Sequence, residues 1–412
     1  MSEFTRRKMI QGLGIGAALG AGGCALNAGK VKLVNTNAET FTGALEVAGG
    51  RLWLKQAADL PNPSAFIFDT GAALTTIYRD EEKYGARAVG EVDVSSIGET
   101  VQRKTIAIDP IRLGPSYALP SQHALRAAQA NPFVSSALLG RYAFDKQVLD
   151  LDFQTETYRV STRDARNEDY PDAHREWTLG VRGNPLAFDI RVDGVKTAGV
   201  FDTGLPGAMA LFPDFLKKYD IMSRAIALGP YTPLSGSTGK LSLARMIKVS
   251  EISLYGQVFK DIWVFAILGK DVPSPGIWGT DVLVGLEIIK HFKFTMDFIK
   301  RRRYLITATQ DDAVLGTPLY SSSKWAQSSL EGVPVLYEKS DLENASRNYE
   351  RRSDYIRAGN PRRILSLNGF DLGGDFDRLA LARSRPRDAA ATYVVESGSG
   401  TETVIVEPEL FA

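Results

Sequence analysis

The sequence predicts a mainly β protein in which two similar lobes precede a small α+β domain. The triplet DTG occurs twice, in FIFDTGAAL (66–74) and in GVFDTGLPG (199–207), each time after a short apolar run. Each triplet is followed by a block of two aliphatic residues and a glycine, and then, at the same further distance, by an Asp-Phe pair. Matched features in the same order predict a duplicated domain.

We predict the first lobe over residues 40–165 and the second over residues 175–308. The apolar runs AFIF and AGVF stop at the DTG triplets, which is typical of strands that end in a loop. Near the end of each lobe, VLDLDFQTETYRV and FKFTMDFIKRRRYLIT alternate like half-buried strands. A helical period over 138–145 and over 283–291 predicts one short helix before each of those strand pairs.

A third domain is predicted over residues 330–412, after a Ser-rich linker that follows Gln310. RRILSLNGFDL is typical of a strand that ends in an Asn-Gly turn, and a later stretch is typical of a hairpin around residues 398–400. These segments resemble the later part of a PDZ domain, whose I-L-x-x-N-G strand, followed by a helix, matches Ile364, Leu365, Ser366, Leu367, Asn368 and Gly369. The resemblance implies a PDZ-like module that binds a peptide, and a generic small α+β domain is the alternative.

Composition narrows the classes of function. Apolar residues make up 44% of the chain and charged residues 24%, as in an ordinary globular protein. With 49 basic and 48 acidic side chains the net charge is +1, which argues against nucleic acid as a partner. One cysteine, Cys24, and three scattered histidines exclude an internal disulfide and a cysteine zinc site and argue against a histidine-rich metal centre. We predict neither a cofactor nor a metal, although composition alone leaves carboxylate sites open.

Residues 1–24 are predicted to be an export signal that is not part of the fold. Two arginines (6–7) precede a Gly/Ala-rich apolar run over 12–23, which is too short to span a membrane as a stable helix. The pattern resembles a twin-arginine signal. It ends in AGGC, which resembles a lipoprotein processing box, although an alanine stands where such a box has a larger aliphatic residue. We expect a periplasmic or cell-envelope protein with a lipid anchor on Cys24, and a plain cleaved signal is the alternative.

The chemistry of paired carboxylates gives a reason for the repeated triplet. Two carboxyl groups about 3 Å apart share one proton, because both cannot easily ionise in a poorly solvated site. A water between them can lose a proton to the ionised group and attack an amide carbonyl that the protonated group polarises. Threonine hydroxyls can bond the two loops, and glycines leave room for the carboxyl groups. The predicted catalytic residues are Asp69 and Asp202, and the supporting residues are Thr70, Gly71, Thr203 and Gly204.

The whole pattern resembles the aspartic peptidases, as a bacterial retropepsin-like or pepsin-like form with both units in one chain. The resemblance covers residues 40–307. It implies two β-barrel lobes with a peptide-binding cleft between them, and an aspartic-type endopeptidase whose catalytic dyad is Asp69 and Asp202. It also implies flaps at about 88–102 and about 231–241, and both stretches are polar and contain glycine, as a mobile lid requires.

One departure from the family pattern supports a rival function. Leu205 and Pro206 follow the second triplet, where the family has a small or hydroxyl residue first. A non-catalytic exported peptide-binding lipoprotein that uses the same cleft is therefore the alternative. A scaffold that acts through its C-terminal module is a third hypothesis.

Three other features have simpler interpretations. Asp152 and Asp297, the aspartates of the Asp-Phe pairs, are expected to stabilise turns of the terminal strands and not to catalyse. Tyr231 is a candidate flap tyrosine, but a surface or core tyrosine is the simpler expectation. The basic run at 300–304 is expected to be a solvated strand end, with contact to anionic lipid as the alternative.

Overall fold

The structure covers most of the two predicted lobes and part of the C-terminal domain. The computed structural model describes residues 38–48, 50–60, 64–78, 80–96, 99–127, 137–163, 174–177, 187–234, 242–268, 280–300, 302–307, 313–315, 319–321, 325–330, 333–339, 352–371, 390–398, 400–407 and 409–411. The predicted export signal, including Cys24, lies outside these residues. Within the described ranges no helix has both the length and the apolar character to cross a membrane.

The first lobe is a set of short strands around an aliphatic and aromatic core. Its strands are β1 (Thr40–Ala48), β2 (Arg51–Lys55), β3 (Ala65–Asp69), β4 (Thr75–Ile77), β5 (Arg87–Ser96), β6 (Glu99–Ile108), β7 (Ile111–Gly114), β8 (Tyr117–Leu119), β9 (Gln122–Arg126), β10 (Ala137–Gly140), β11 (Val148–Asp152) and β12 (Thr157–Ser161). Two 3-10 helices lie at Glu81–Tyr84 and Arg141–Phe144. The run from Phe66 to Phe68 in β3 is buried on both faces, which explains why it is continuously apolar.

The second lobe repeats this plan with longer hairpins. Its strands are β13 (His174–Trp177), β14 (Ala187–Val192), β15 (Val195–Phe201), β16 (Met209–Leu211), β17 (Ala227–Leu234), β18 (Ser242–Leu254), β19 (Gln257–Ile267), β20 (Val282–Val284), β21 (Phe292–Asp297) and β22 (Arg302–Thr307). Its helices are α1 (Pro213–Lys218), α2 (Ile221–Arg224) and α3 (Leu286–Ile289). As predicted, the terminal segments of the two lobes form the hairpins β11–β12 and β21–β22.

The predicted duplication is confirmed by strand topology. The strand before the triplet, the later aliphatic strand and the strand after the triplet lie in the order β3-β10-β4 in one lobe and β15-β20-β16 in the other. In both, the middle strand runs parallel to the first and antiparallel to the third. The predicted helices are shorter than expected, because the first residues of each segment form these buried middle strands and helix begins only at Arg141 and Leu286.

The two lobes share one sheet. β11 of the first lobe pairs antiparallel with β21 of the second, which gives the strand order β13-β22-β21-β11-β12-β1. Within this seam the hydroxyl of Thr295 donates to Asp150 Oδ1 at 2.6 Å, and Arg159 forms an ion pair with the same carboxylate at 2.7 Å. The buried carboxylate is therefore compensated, and the seam fixes the lobes relative to each other.

Within its described residues, the C-terminal region contains an antiparallel sheet and a helix. Its elements are β23 (Ala313–Leu315), β24 (Leu319–Ser321), β25 (Trp325–Leu330), β26 (Val333–Glu338), α4 (Arg352–Ala358), β27 (Arg362–Leu367), β28 (Phe370–Asp371), β29 (Ala391–Ser397), β30 (Gly400–Val406) and β31 (Glu409–Phe411). The predicted Asn368-Gly369 turn and the hairpin around 398–400 are confirmed. Part of the predicted Ser-rich linker is instead strand β25, paired with β26. Residues 372–389, where the PDZ resemblance implies a helix, lie outside the described part.

The C-terminal sheet packs on the second lobe. Tyr337 of β26 and Tyr355 of α4 are fully buried, with ring centroids 5.9 Å apart, and they join a cluster with Leu243 of β18. Tyr231 of β17 packs against the same cluster. The C-terminal region therefore contacts the β17–β18 hairpin, which carries the second predicted flap.

Candidate active site

The two DTG aspartates lie at corresponding places in the lobes. Asp69 is the last residue of β3 and lies opposite Gly140 of β10. Asp202 directly follows β15, and its backbone N–H donates to the carbonyl oxygen of Val284 in β20. In each lobe, the buried apolar strand and its middle neighbour together fix the position of one aspartate.

The structure brings these two aspartates into contact. A side-chain hydrogen bond joins the carboxyl groups of Asp69 and Asp202. A Cβ added to Gly71 would lie 2.6 Å from Asp202 Oδ1, and one added to Gly204 would lie 2.5 Å from Asp69 Oδ2. Such distances are too short for any side chain, so only glycine permits this reciprocal approach. All six residues predicted from the two triplets therefore meet at one point.

The two carboxyl groups have unequal surroundings. Asp69 Oδ1 accepts the backbone N–H groups of Gly71 at 2.8 Å and Ala72 at 3.1 Å, whereas Asp202 Oδ1 accepts that of Gly204 at 2.9 Å. Burial, the negative charge of Asp69 and the hydrogen bond with Asp69 raise the pKa of Asp202 well above its ordinary value, against the opposing effect of the Gly204 N–H. These surroundings therefore favour Asp202 as the carboxyl group that holds the shared proton.

The threonines of the triplets bond the two loops to each other. Thr203 Oγ1 accepts the Thr70 N–H at 2.9 Å and donates to the carbonyl oxygen of Phe68 at 2.8 Å. Thr70 Oγ1 accepts the Thr203 N–H at 3.0 Å and donates to the carbonyl oxygen of Phe201 at 2.8 Å. Both threonines are buried. Four hydrogen bonds related by the pseudo-symmetry of the lobes therefore fix one aspartate relative to the other.

We expect Thr203→Val to lower the free energy of unfolding by about 2–6 kcal/mol, because it leaves a buried donor, the Thr70 N–H, and a buried acceptor, the Phe68 carbonyl, unpaired at about 1–3 kcal/mol each. Urea unfolding measures the change. Thr203→Ser is the matched control: it keeps the hydroxyl and removes one methyl group, so its loss is about 1 kcal/mol. Equal losses in the two variants would show that the hydroxyl bonds contribute little.

Arg141 also supports the first triplet, and sequence reasoning missed it. The residue is 4% exposed, and its Nη1 donates to the carbonyl oxygen of Thr70 at 2.6 Å. Burial lowers the pKa of Arg141, and neighbouring Tyr142 and the two dyad acids act in the opposite direction. Arg141 directly follows the repeated glycine, where the second lobe has Leu286. Comparison of the two copies position by position would have singled it out.

Arg51 and Tyr78 lie beside the dyad as well, and sequence reasoning missed both. Arg51 Nη1 donates to the carbonyl oxygen of Gly204, and its charge acts on Asp202. Burial raises the pKa of Tyr78 to about 12; the Asp69 carboxylate contributes to this rise and Arg51 opposes it. Arg51 begins β2 and Tyr78 follows β4, and the repeat marks neither position.

The departure in the second loop is accommodated by packing. Leu205 is buried among apolar side chains of the second lobe, which are Val200, Ala210, Phe212, Ile267 and Leu283. Its N–H donates to the backbone carbonyl of Asp202 at 3.0 Å, as the Ala72 N–H does to that of Asp69 at 3.2 Å. The second loop therefore keeps the turn of the first.

The Asp-Phe aspartates stabilise turns, as predicted. Asp152 Oδ1 accepts the N–H groups of the residues two and three positions later, and Asp297 Oδ1 does the same. They lie in β11 and β21, in the shared sheet and not at the dyad. Across the described ranges, no group of three or more His, Cys, Asp or Glu side chains is arranged to hold a metal ion.

Each predicted flap falls on a hairpin. β5 pairs with β6 and β17 with β18, and the connecting residues 97–98 and 235–241 lie outside the described part. The guanidinium carbon of Arg245 lies over the ring of Tyr231, 4.9 Å from the ring centroid. Tyr231 also packs against the cluster that contains Tyr337 and Tyr355. Tyr231 is therefore a packed tyrosine, in agreement with the simpler expectation. The function of the two hairpins as lids stays a prediction.

Comparison with solved structures finds similarity to an aspartic proteinase from Irpex lacteus. The two chains are 15% identical with a TM-score of 0.41, and the match covers 66% of this chain and 99% of that one. No family model and no curated protein matches the chain. The fold is mainly β, with two lobes that share one strand order around their DTG triplets.

Proposed function

We propose that the protein is an aspartic endopeptidase, which hydrolyses peptide bonds with a water activated by Asp69 and Asp202. The observation that carries this proposal is the hydrogen bond between the two carboxyl groups, held by matched loops from the two lobes. Carboxyl groups in such contact share one proton and so supply a base and an acid at one point. The reaction then needs no covalent nucleophile.

The unequal surroundings assign a step to each carboxyl group. Two backbone N–H groups donate to Asp69 Oδ1 and one donates to Asp202 Oδ1, so Asp69 is assigned the role of the base. Asp69 takes a proton from the water as its oxygen bonds to the amide carbon, and Asp202 gives its proton to the carbonyl oxygen. The proton on Asp69 then passes to the amide nitrogen, the C–N bond breaks, and a hydroxyl of the intermediate returns a proton to Asp202. Water alone is consumed besides the peptide.

The remaining expectations extend this proposal to the setting of the enzyme. We propose export through the signal at residues 1–24 and attachment to a membrane by lipidated Cys24, so that the substrate is a peptide or protein of the cell envelope. We also propose that residues 330–412 are a PDZ-like module that binds a peptide. The turn after β27, in which Asn368 and Gly369 have φ values of 52° and 81°, supports this resemblance.

The rival function is peptide binding without cleavage in the same cleft. It is motivated by Leu205 and Pro206, but Leu205 is packed and the turn around Asp202 matches that around Asp69. The rival predicts saturable binding of peptides without any product, so one experiment separates the two functions.

The experiment incubates the full chain with a diverse peptide mixture from acidic to neutral pH and identifies new termini by mass spectrometry. We expect cleavage that is lost in Asp69→Asn and kept in Asp152→Asn, which alters an aspartate of the same repeat away from the dyad. Undiminished cleavage by Asp69→Asn would refute the proposal. Peptide binding by a folded chain without cleavage at any pH would favour the rival.

A further inference from the structure

Arg51 connects the two lobes at the dyad. It begins β2 in the first lobe, is partly buried, and its Nη1 donates to the carbonyl oxygen of Gly204 in the second lobe. Gly204 is the residue whose Cα lies against the Asp69 carboxylate. Arg51 therefore bonds a residue that itself contacts the proposed catalytic carboxyl group of Asp69.

The guanidinium of Arg51 has more N–H donors than its hydrogen bond to Gly204 uses. An arginine carries five N–H donors in a planar fork that fits a carboxylate. Within the described part of the chain, one of these bonds is to Gly204 and no carboxylate lies within ion-pair distance. The acidic side chain on the neighbouring strand β1, Glu46, is instead paired with Lys55 at 2.5 Å. Arg51 therefore has capacity for a carboxylate from outside the chain.

The dyad has two cationic neighbours. The dyad with one shared proton carries one negative charge, and two guanidinium groups, those of Arg51 and Arg141, act on it. Arg141 is buried and bonded to Thr70, so it cannot reach a substrate. Of the two, Arg51 is the guanidinium that can act on a substrate, at a site where partial burial strengthens electrostatic attraction.

An apolar cluster lies beside Arg51, and its partly buried members, Ala65, Tyr78 and Leu138, can contact the stem of a substrate side chain. Ile67 and Asp69 point to the same face of β3, because alternate residues of a strand do so. On that face Ile67 forms an apolar cluster with Ala48, Trp53, Ala65, Leu138 and Tyr78. With its pKa raised, Tyr78 keeps its hydroxyl proton at neutral pH and remains a donor.

We propose that Arg51, with the Tyr78 hydroxyl beside it, is a specificity-determining residue that binds the carboxylate of an acidic substrate residue close to the scissile bond. This inference rests on the proposed peptidase function and names its substrate class: peptides with glutamate or aspartate near the cleaved bond. A purely structural Arg51 would only link β2 to the second triplet, and the two roles predict different results.

The test compares peptides that differ by Glu against Gln at one position, scanned over the three residues on either side of the cleaved bond, with the full chain. At one position we expect kcat/KM to be about tenfold higher for Glu, which corresponds to about 1.4 kcal/mol. High salt and a pH below the ordinary glutamate pKa of about 4.3 should both remove the preference. Arg51→Gln should slow the Glu peptide about tenfold more than the Gln peptide, whereas Arg112→Gln, at an exposed arginine of β7, should not change the ratio.

A binding arm separates failure of this inference from failure of the proposed function. In the Asp69→Asn background, fluorescent Glu and Gln peptides report the ratio of Kd values with and without Arg51→Gln. Dyad-dependent cleavage without a Glu preference at any position, or equal slowing of both peptides by Arg51→Gln, would overturn the inference and leave the peptidase intact. A Glu preference in Kd that requires Arg51, in a chain that cleaves nothing, would support carboxylate recognition by Arg51 in a bound peptide and would overturn the peptidase function.

Discussion

Gly71→Ala is expected to lower kcat/KM by about a hundredfold or more while the chain remains folded. The new Cβ would lie 2.6 Å from Asp202 Oδ1 and 2.8 Å from its Cγ, so the Asp202 carboxyl group must move. A shift of that size breaks the contact with Asp69 on which the shared proton depends. Hydrolysis of a peptide found in the cleavage screen, together with the circular dichroism spectrum, measures both effects.

The pseudo-symmetry supplies a second variant and the chain supplies a control. Gly204→Ala would place its Cβ 2.5 Å from Asp69 Oδ2, so its loss of kcat/KM should match that of Gly71→Ala. Gly398 has open space around it and an ordinary φ, and Gly398→Ala should leave kcat/KM unchanged. Full activity in either triplet variant would show that close approach of the carboxyl groups is not required.

The parts of the fold that sequence reasoning predicted are those in which the repeated residues carry the structure directly. The triplets placed Asp69 and Asp202 at strand ends, and the later aliphatic-aliphatic-Gly block formed the middle strand beside each of them. Gly140 and Gly285 are needed there, since a Cβ at either would meet backbone atoms within 3 Å. In both lobes these contacts join the same two repeated segments. The repetition within one chain therefore made them predictable from the sequence.

The parts that sequence reasoning missed depend on contacts between segments that carry no repeat. Arg51 reaches Gly204 because the β1–β2 hairpin lies next to the second lobe, a placement that no local pattern encodes. The docking of Tyr337 and Tyr355 on the β17–β18 hairpin is a tertiary contact of the same kind. Ser-rich composition predicts a linker where the structure has strand β25, because the pairing of this polar strand with β26 is decided by the sheet and not by local sequence.

Asp202→Asn is expected to abolish hydrolysis and to stabilise the fold at neutral pH. Removing the group that donates the proton should lower kcat by about a hundred- to ten-thousandfold. The pKa of Asp202 is raised, so between its unfolded value of about 3.9 and its folded value the native state holds a proton that the unfolded state has released. The free energy of unfolding therefore falls as pH rises through that window, by about 1.4 kcal/mol for each unit of the shift. Asparagine does not ionise, so the stability of the variant does not fall with pH for this reason.

Urea unfolding of the unmodified chain and of Asp202→Asn at acidic and neutral pH tests the sign. The variant should be the more stable protein at neutral pH, and its advantage should shrink towards acid. Asp152→Asn is the control of opposite sign: the N–H of Thr155, Lys293 and the N–H of Gln154 lower the pKa of Asp152 against the effect of burial. Asp152 therefore stabilises the fold above its unfolded pKa, and Asp152→Asn should destabilise it at neutral pH. If Asp202→Asn also destabilised the chain at neutral pH, the shared proton would not reside on Asp202, and the assignment of acid and base in the dyad would be reversed.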